Sequence, residues 1–418
     1  MMTFGKQCLL ATSGALAFWA PPAWAQEAPP KEEEAPIGPQ ESSTTYLELV
    51  GSLGFASNPF IRTVDSQSSF LGRASARGVH AWQGERASSS ISGFVEGTTY
   101  FNNYGLESIF SVNGNTSYAA SETVSVYGSA GVSGDLSGQL SNRFLDVPAL
   151  PQVPDPNVPP PPPEVVNPDV FDFVGRSYHL HGQVGAAIET GARSHVSFNA
   201  GVSRAIYSSS LLDEYTSIYA SGSYGLTVSE LTTVGATVNI TRTGYDNSPN
   251  HSTTINPAAT IHTQLSENWD LSGSVGVTFA SVDRLLGNDS STNLSLSASA
   301  CNTTESTRFC AHVDRYSAAS ASSTVVTTTS LGLDWYKKLD AAQTIQLSVG
   351  AAHYVDEVLN INRTTNHFRL AANYNRMIND RLSGGADVSV RSLRREGIDP
   401  DTDISGTVFI RYRIGDLG

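Results

Sequence analysis

From Tyr46 to Ile414 apolar residues return at every second position in short runs, separated by polar breaks rich in Gly, Asn, Asp and Ser. Such alternation marks strands whose two faces meet different surroundings. Tyr46–Phe55 places Leu47, Leu49, Gly51, Leu53 and Phe55 on one face. Phe70–Trp82, Ile91–Phe101, Phe110–Tyr118 and Val124–Val132 follow, and after a long interruption thirteen more runs extend from Tyr178–Ile188 to Val408–Ile414. Eighteen strands are predicted, with sixteen as the alternative count. In the last run Val408, Ile410, Tyr412 and Ile414 share one face, while Phe409, Arg411 and Arg413 share the other. One face suits lipid; the other needs water or counter-charge.

The breaks come in two sizes that alternate. Short turns are read at Gln83–Arg86, Ser121-Glu122, Thr190–Arg193, Ser229-Glu230, Ser266–Asn268, Asn302–Ser306, Leu339–Ala342 and Asn379-Asp380. Between them fall longer links, among them Ala56–Ser68, Asn102–Glu107, Gly138–Arg176, Ser208–Glu214, Asp283–Ser291, Asp356–Asn366 and Arg394–Asp403. Outer-membrane barrels have short periplasmic turns and longer extracellular loops. The predicted class is therefore all-β: a transmembrane antiparallel β-barrel spanning 45–418. Its first and last strands must pair, because hydrocarbon tolerates no open sheet edge. That closure brings Glu48 towards Arg411 or Arg413. Trp82, Trp269 and Trp335, each beside a short turn, fit an aromatic girdle at the inner interface.

The ends agree. Lys6, the apolar stretch Leu9–Ala20 and the small-x-small site Ala23-Trp24-Ala25 form a secretory signal over residues 1–25. Residues 26–44, with Glu27, Glu32, Glu33, Glu34 and Glu41 against Lys31, read as a disordered acidic, Pro-rich periplasmic arm. Charged residues make up only 15% of the chain, well below the usual quarter, as expected where much of the surface faces lipid. Lys6 is the only charged residue in the signal, so the remainder keeps 24 basic and all 39 acidic residues. That acidity argues against nucleic acid as a partner.

Cys301 and Cys310 flank Asn302–Ser306. In an oxidising compartment they are expected to form a disulfide; a metal site would need more ligands than nearby His312 supplies. Ten of the twenty prolines lie between Pro148 and Pro168. They cannot serve a central strand and favour an extended, polyproline-like loop. This Pro-rich extracellular loop, 139–176, is the third by parity. It is read as an exposed stalk, with a channel constriction as the competing reading.

Inward positions hold Arg73, Arg77, Glu96, Asp334, Asp356, Arg369, Asp387, Arg391, Arg411 and Arg413. Charges lining a pore set its field and ion preference, and the acidic excess points to mild cation selectivity. The chain has no Walker-type loop, no paired Cys-x-x-Cys set and no Gly-x-Ser-x-Gly elbow. Neither enzyme chemistry, a metal nor a cofactor is expected.

Gly54-Phe55-Ala56-Ser57-Asn58-Pro59-Phe60-Ile61-Arg62 resembles the opening segment of the second type of β-barrel porin family, a family of bacterial outer-membrane barrels. Ala56 departs from a position that is frequently acidic there. The terminal strand resembles the C-terminal signal of such barrels, although Gly415–Gly418 run past the last aromatic. These resemblances imply location in the bacterial outer membrane and contact with its lipid, with assembly by the barrel-assembly machinery through the last strand. The expected function is a porin-like channel passing small hydrophilic solutes or ions. The alternatives are a barrel accessory to exopolysaccharide production or export, and a non-conducting structural or adhesin-like barrel.

Overall fold

The computed structural model describes residues 42–415, apart from 62–65, 103, 137–175, 209–211, 247, 285–286, 321–323, 359–360 and 398–399. Eighteen strands run β1 (Ser42–Ala56), β2 (Ser69–Gln83), β3 (Ala87–Tyr100), β4 (Gly105–Ala119), β5 (Val124–Asp135) and β6 (Ser177–Gly191). Next come β7 (Ser194–Tyr207), β8 (Tyr215–Ser229), β9 (Thr232–Tyr245), β10 (His251–Ser266), β11 (Trp269–Arg284) and β12 (Gly287–Thr303). The series ends with β13 (Thr307–Ala319), β14 (Val325–Lys338), β15 (Gln343–Val358), β16 (Ile361–Met377), β17 (Leu382–Arg395) and β18 (Asp401–Gly415).

Each strand pairs antiparallel with its neighbours in sequence, and β1 pairs with β18 from Tyr46↔Gly415 to Ala56↔Ser405. The sheet is a closed barrel without an edge. Closure places Glu48 within reach of the last strand, and Arg411 Nε lies 3.5 Å from its Oε1.

The outward face is apolar: Leu53, Val184, Ile218, Val275, Val408 and Ile410 are all exposed, Ile410 at 62%. Such a belt would be a severe liability in water and is at home in hydrocarbon. Together, belt and closure define an outer-membrane barrel. Trp82, Trp269 and Trp335 lie on this outer face at the tight-turn end. That end faces the periplasm in barrels of this kind, and the opposite end faces outward.

Inside, several large rings lie flat along the wall. The Tyr219 ring covers Gly201 and the Phe409 ring covers Gly385; a Cβ at either glycine would overlap the ring. Glycine lets an aromatic side chain lie against a neighbouring strand without projecting into the lumen.

The strands are longer than the alternation predicts, and three readings are corrected. β11 and β12 run to Arg284 and from Gly287, so the predicted long link Asp283–Ser291 is mostly paired strand. Likewise Asp356–Asn366 is mostly the paired ends of β15 and β16. These ladders extend beyond the apolar belt through Ser, Thr, Asn and Asp, where the outer face no longer meets lipid and no apolar alternation remains to be read. The third correction concerns Ser42–Thr44, expected in the arm. They belong to β1, paired with Ala81–Gln83. The rest of the arm within 26–41, the signal 1–25 and the Pro-rich loop 139–176 but for Arg176 lie outside the described residues.

Cys301 and Cys310 stand opposite each other on β12 and β13 and are joined by a disulfide. Outward of this link the two strands stay paired only as far as Leu296↔Arg315. The far end of β13 leans towards β10 and β11, and Ser317 and Thr327, hydrogen-bonded at 2.8 Å, are buried there.

Replacing Val275, in the middle of the apolar belt, by arginine should cost about 2–4 kcal/mol of folding free energy in lipid. Guanidinium unfolding in vesicles would measure it, and a loss near zero would mean that Val275 does not face hydrocarbon.

Candidate functional site

Among the described residues the lumen forms a continuous polar face, and its chemistry is set by which inward positions carry charge. One wall holds a cavity of about 450 Å³. Its lining includes Glu48, Arg73, Arg77, Glu96, Asp387 and Arg411. These residues come from β1, β2, β3, β17 and β18, which only closure makes adjacent.

Two ion pairs cross strands here: Arg73 to Glu96 at 3.4 Å and Arg411 to Glu48 at 3.5 Å. Both are partly exposed to the lumen, so each contributes little to stability and mainly fixes the direction of its charges. Asp387 accepts hydrogen bonds from Asn373 and, at 3.3 Å, from Thr407. Arg77 makes no ion pair among the described residues. Arg413 lies towards the periplasmic end with its guanidinium 3.8 Å from the centre of the Tyr46 ring, a cation–π contact. Further round, His312 Nδ1 lies 3.8 Å from Asp334, and Arg369 is close enough to act electrostatically on the same carboxylate.

Two of the sequence-derived residues sit elsewhere. Asp356 is buried near the outer end of β15. Arg391 is also buried: its Nη2 donates at 2.7 Å to Asp403 and at 3.0 Å to the Pro59 carbonyl. Asp403, fully enclosed, accepts in addition from the Asn58 backbone N–H at 2.8 Å and the Ser57 hydroxyl at 3.4 Å. Sequence reading passed over Asp403. The signal available was an acidic residue at an inward position two strand steps from Thr407.

This buried pair pins the first long loop into the barrel mouth. Asn58 accepts from the Ile61 N–H at 2.9 Å, closing a turn with Pro59 at its second position, where a fixed φ is favoured. Phe60 inserts among Ala56, Leu71 and Tyr100, with its ring 5.2 Å from Tyr100 and 4.8 Å from Tyr104. Ile61 packs on Leu393. Its φ of +48° is strained for a β-branched residue and is held by complete burial. Residues 57–61 therefore form a roof just outward of the charged cavity, which reaches Thr407 on β18 while the loop is bonded to Asp403. The segment singled out by sequence has a physical purpose here. The proline-rich stretch expected as stalk or constriction lies outside the described residues.

A closed barrel with an apolar exterior, a charged lumen and an inward-folded loop defines the class as outer-membrane β-barrels. No family model matches the chain, and no curated protein matches it. Solved structures that are similar include OccK2 (OpdF) of Pseudomonas aeruginosa, at 10% identity and TM-score 0.48, over 90% of this chain and 98% of that one. A BenF-like porin from Pseudomonas fluorescens Pf-5 is similar at 9% identity and TM-score 0.48, over 90% and 99%. The siderophore receptor PirA from Pseudomonas aeruginosa is similar at 14% and 0.40, over 88% and 80%. At these values the likenesses carry no functional conclusion.

Asp403→Ala leaves Arg391 buried without its carboxylate and should cost about 3–5 kcal/mol. Arg391→Met combined with Asp403→Leu should recover much of that loss. Denaturant midpoints and protease cleavage within 57–61 would report it; an unchanged midpoint and an uncut loop would mean that the pair does not hold the roof.

Proposed function

We propose that this protein is a porin-like channel through which small hydrophilic solutes and ions diffuse passively across the outer membrane. The observation that supports it most is the width of the barrel combined with its polar interior. Sixteen to eighteen strands leave room for an aqueous passage, and here the Tyr219 and Phe409 rings lie against glycines and do not project into it. Arg73, Arg77, Glu96, Asp387, Arg411 and Arg413 supply the field of the lumen wall on this reading, with Asp334 and Arg369 adding to it further round. Arg391 acts as an internal fastener, and Asp356 is buried away from the lumen wall. No cofactor takes part.

The reading extends to the rest of the chain. The first 25 residues serve export, the acidic stretch after them remains in the periplasm, and the terminal strand is handed to the barrel-assembly machinery. The loop motif Gly54–Arg62 supports membership of the second type of β-barrel porin family.

In planar bilayers the purified protein should give steady ohmic steps in KCl. Arg73→Ser with Arg411→Ser removes positive charge and leaves Glu96 and Glu48 unopposed, so the reversal potential should move towards greater cation selectivity. A folded, inserted barrel with no conductance would refute the channel.

A further inference from the structure

The charged residues of the lumen are confined to part of its circumference. Each strand from β13 through β18 and on through β1 to β4 turns at least one Asp, Glu or Arg inward, as Asp334, Arg369, Arg411, Glu48, Arg73 and Glu96 illustrate. On β7, β8, β9 and β10 no inward position holds Asp, Glu, Lys or Arg. Their inward residues are mainly Ser, Thr, Asn and Gln, with Tyr, His and small residues between them. In a ring of eighteen strands, those nine places apart face each other. The uncharged arc β7–β10 therefore lies opposite β16, β17, β18 and β1, the arc that carries Arg369, Asp387, Arg411 and Glu48.

Much of the uncharged arc is self-satisfied. Ser197 and Ser223 bond at 2.6 Å, Ser217 and Thr243 at 2.8 Å, and Asn256 donates to Thr278 at 2.8 Å. One patch is not. Ser221 pairs across strands with Asn239, and Thr241 pairs with Thr254. These four side chains are contiguous on β8, β9 and β10 and partly exposed to the lumen, and among the described residues they make no side-chain hydrogen bond. Together they offer three hydroxyls and one carboxamide, each able both to donate and to accept.

We propose that this patch is a contact site for small uncharged polyhydroxylated solutes, so that the lumen serves ions along one wall and neutral polyols along the other. The proposal rests on the channel reading above. A polyol crossing the lumen must keep its hydroxyl groups bonded. Donor–acceptor side chains can replace its water without the cost of stripping hydration from a charged group. An ion gains nothing comparable there and is drawn to the charged arc, so the two classes separate by wall.

The test is permeation of D-glucose into liposomes carrying the protein, alongside KCl conductance of the same preparation. The variant Ser221→Ala/Asn239→Leu/Thr241→Val/Thr254→Val keeps side-chain size nearly constant and removes the polar groups. Its ratio of glucose permeation to KCl conductance should fall about fivefold, equivalent to roughly 1 kcal/mol of lost contact. Asn239→Leu alone should give a smaller fall in the same direction and serves if the fourfold variant does not fold. An unchanged ratio in either folded variant, with the native protein passing both ions and glucose, would overturn the patch while leaving the channel standing. A native barrel that passes neither would overturn the channel and the patch with it.

Discussion

A β-sheet in hydrocarbon must satisfy every backbone N–H and C=O within itself, and the ladder between β1 and β18 is where this chain meets that demand. Remove it, and two strand edges would face lipid with unpaired groups costing several kcal/mol each. The rest of the architecture follows from it. Closure brings residues from the two ends of the chain onto one stretch of wall, so Glu48 meets Arg411 and Asp403 meets the loop after β1. The charged cavity and its roof are both assembled at that seam.

Burial decides what each lumen charge does. Arg411 and Arg73 are partly wet, their ion pairs are screened, and their charge remains available to the lumen. Arg391 and Asp403 have lost their water, so their charges are spent on each other and on the backbone of Asn58 and Pro59. Residue type alone makes these arginines look equivalent. Position relative to the inward-folded loop separates a field-setting group from a fastener. The same loop accounts for a strained Ile61: fixed by Asp403 on one side and packed on Leu393 on the other, it has no relaxed alternative.

The interior also shows how large side chains are kept against the barrel wall. Tyr219 and Phe409 would each obstruct the passage if they stood upright, and the glycines beside them allow the rings to lie down. Where the wall carries smaller groups, hydroxyls on facing strands bond to one another and need no filler. Charge on one side and neutral hydrogen-bonding capacity on the other give the lumen a direction across its width as well as along its axis.

By itself the sequence determined the barrel class, a count of eighteen strands with sixteen left open, the alternation of tight turns with longer links, and the pairing of first and last strands. Period-two patterning against lipid is a strong and local signal, and a closed barrel then has little freedom. It also brought Glu48 towards Arg411 or Arg413; the fold sets Arg413 opposite Glu48 in register and gives the ion pair to Arg411. It could not show that Asp283–Ser291 and Asp356–Asn366 continue as paired strands, because above the membrane the outer face no longer meets lipid and the apolar pattern vanishes. Nor could it tell Arg391 from Arg411, or, with sixteen strands still open, place β7–β10 opposite β16–β1. Those depend on which loop folds inward and which strands face each other across the ring, distances that exist only once eighteen separate segments have closed.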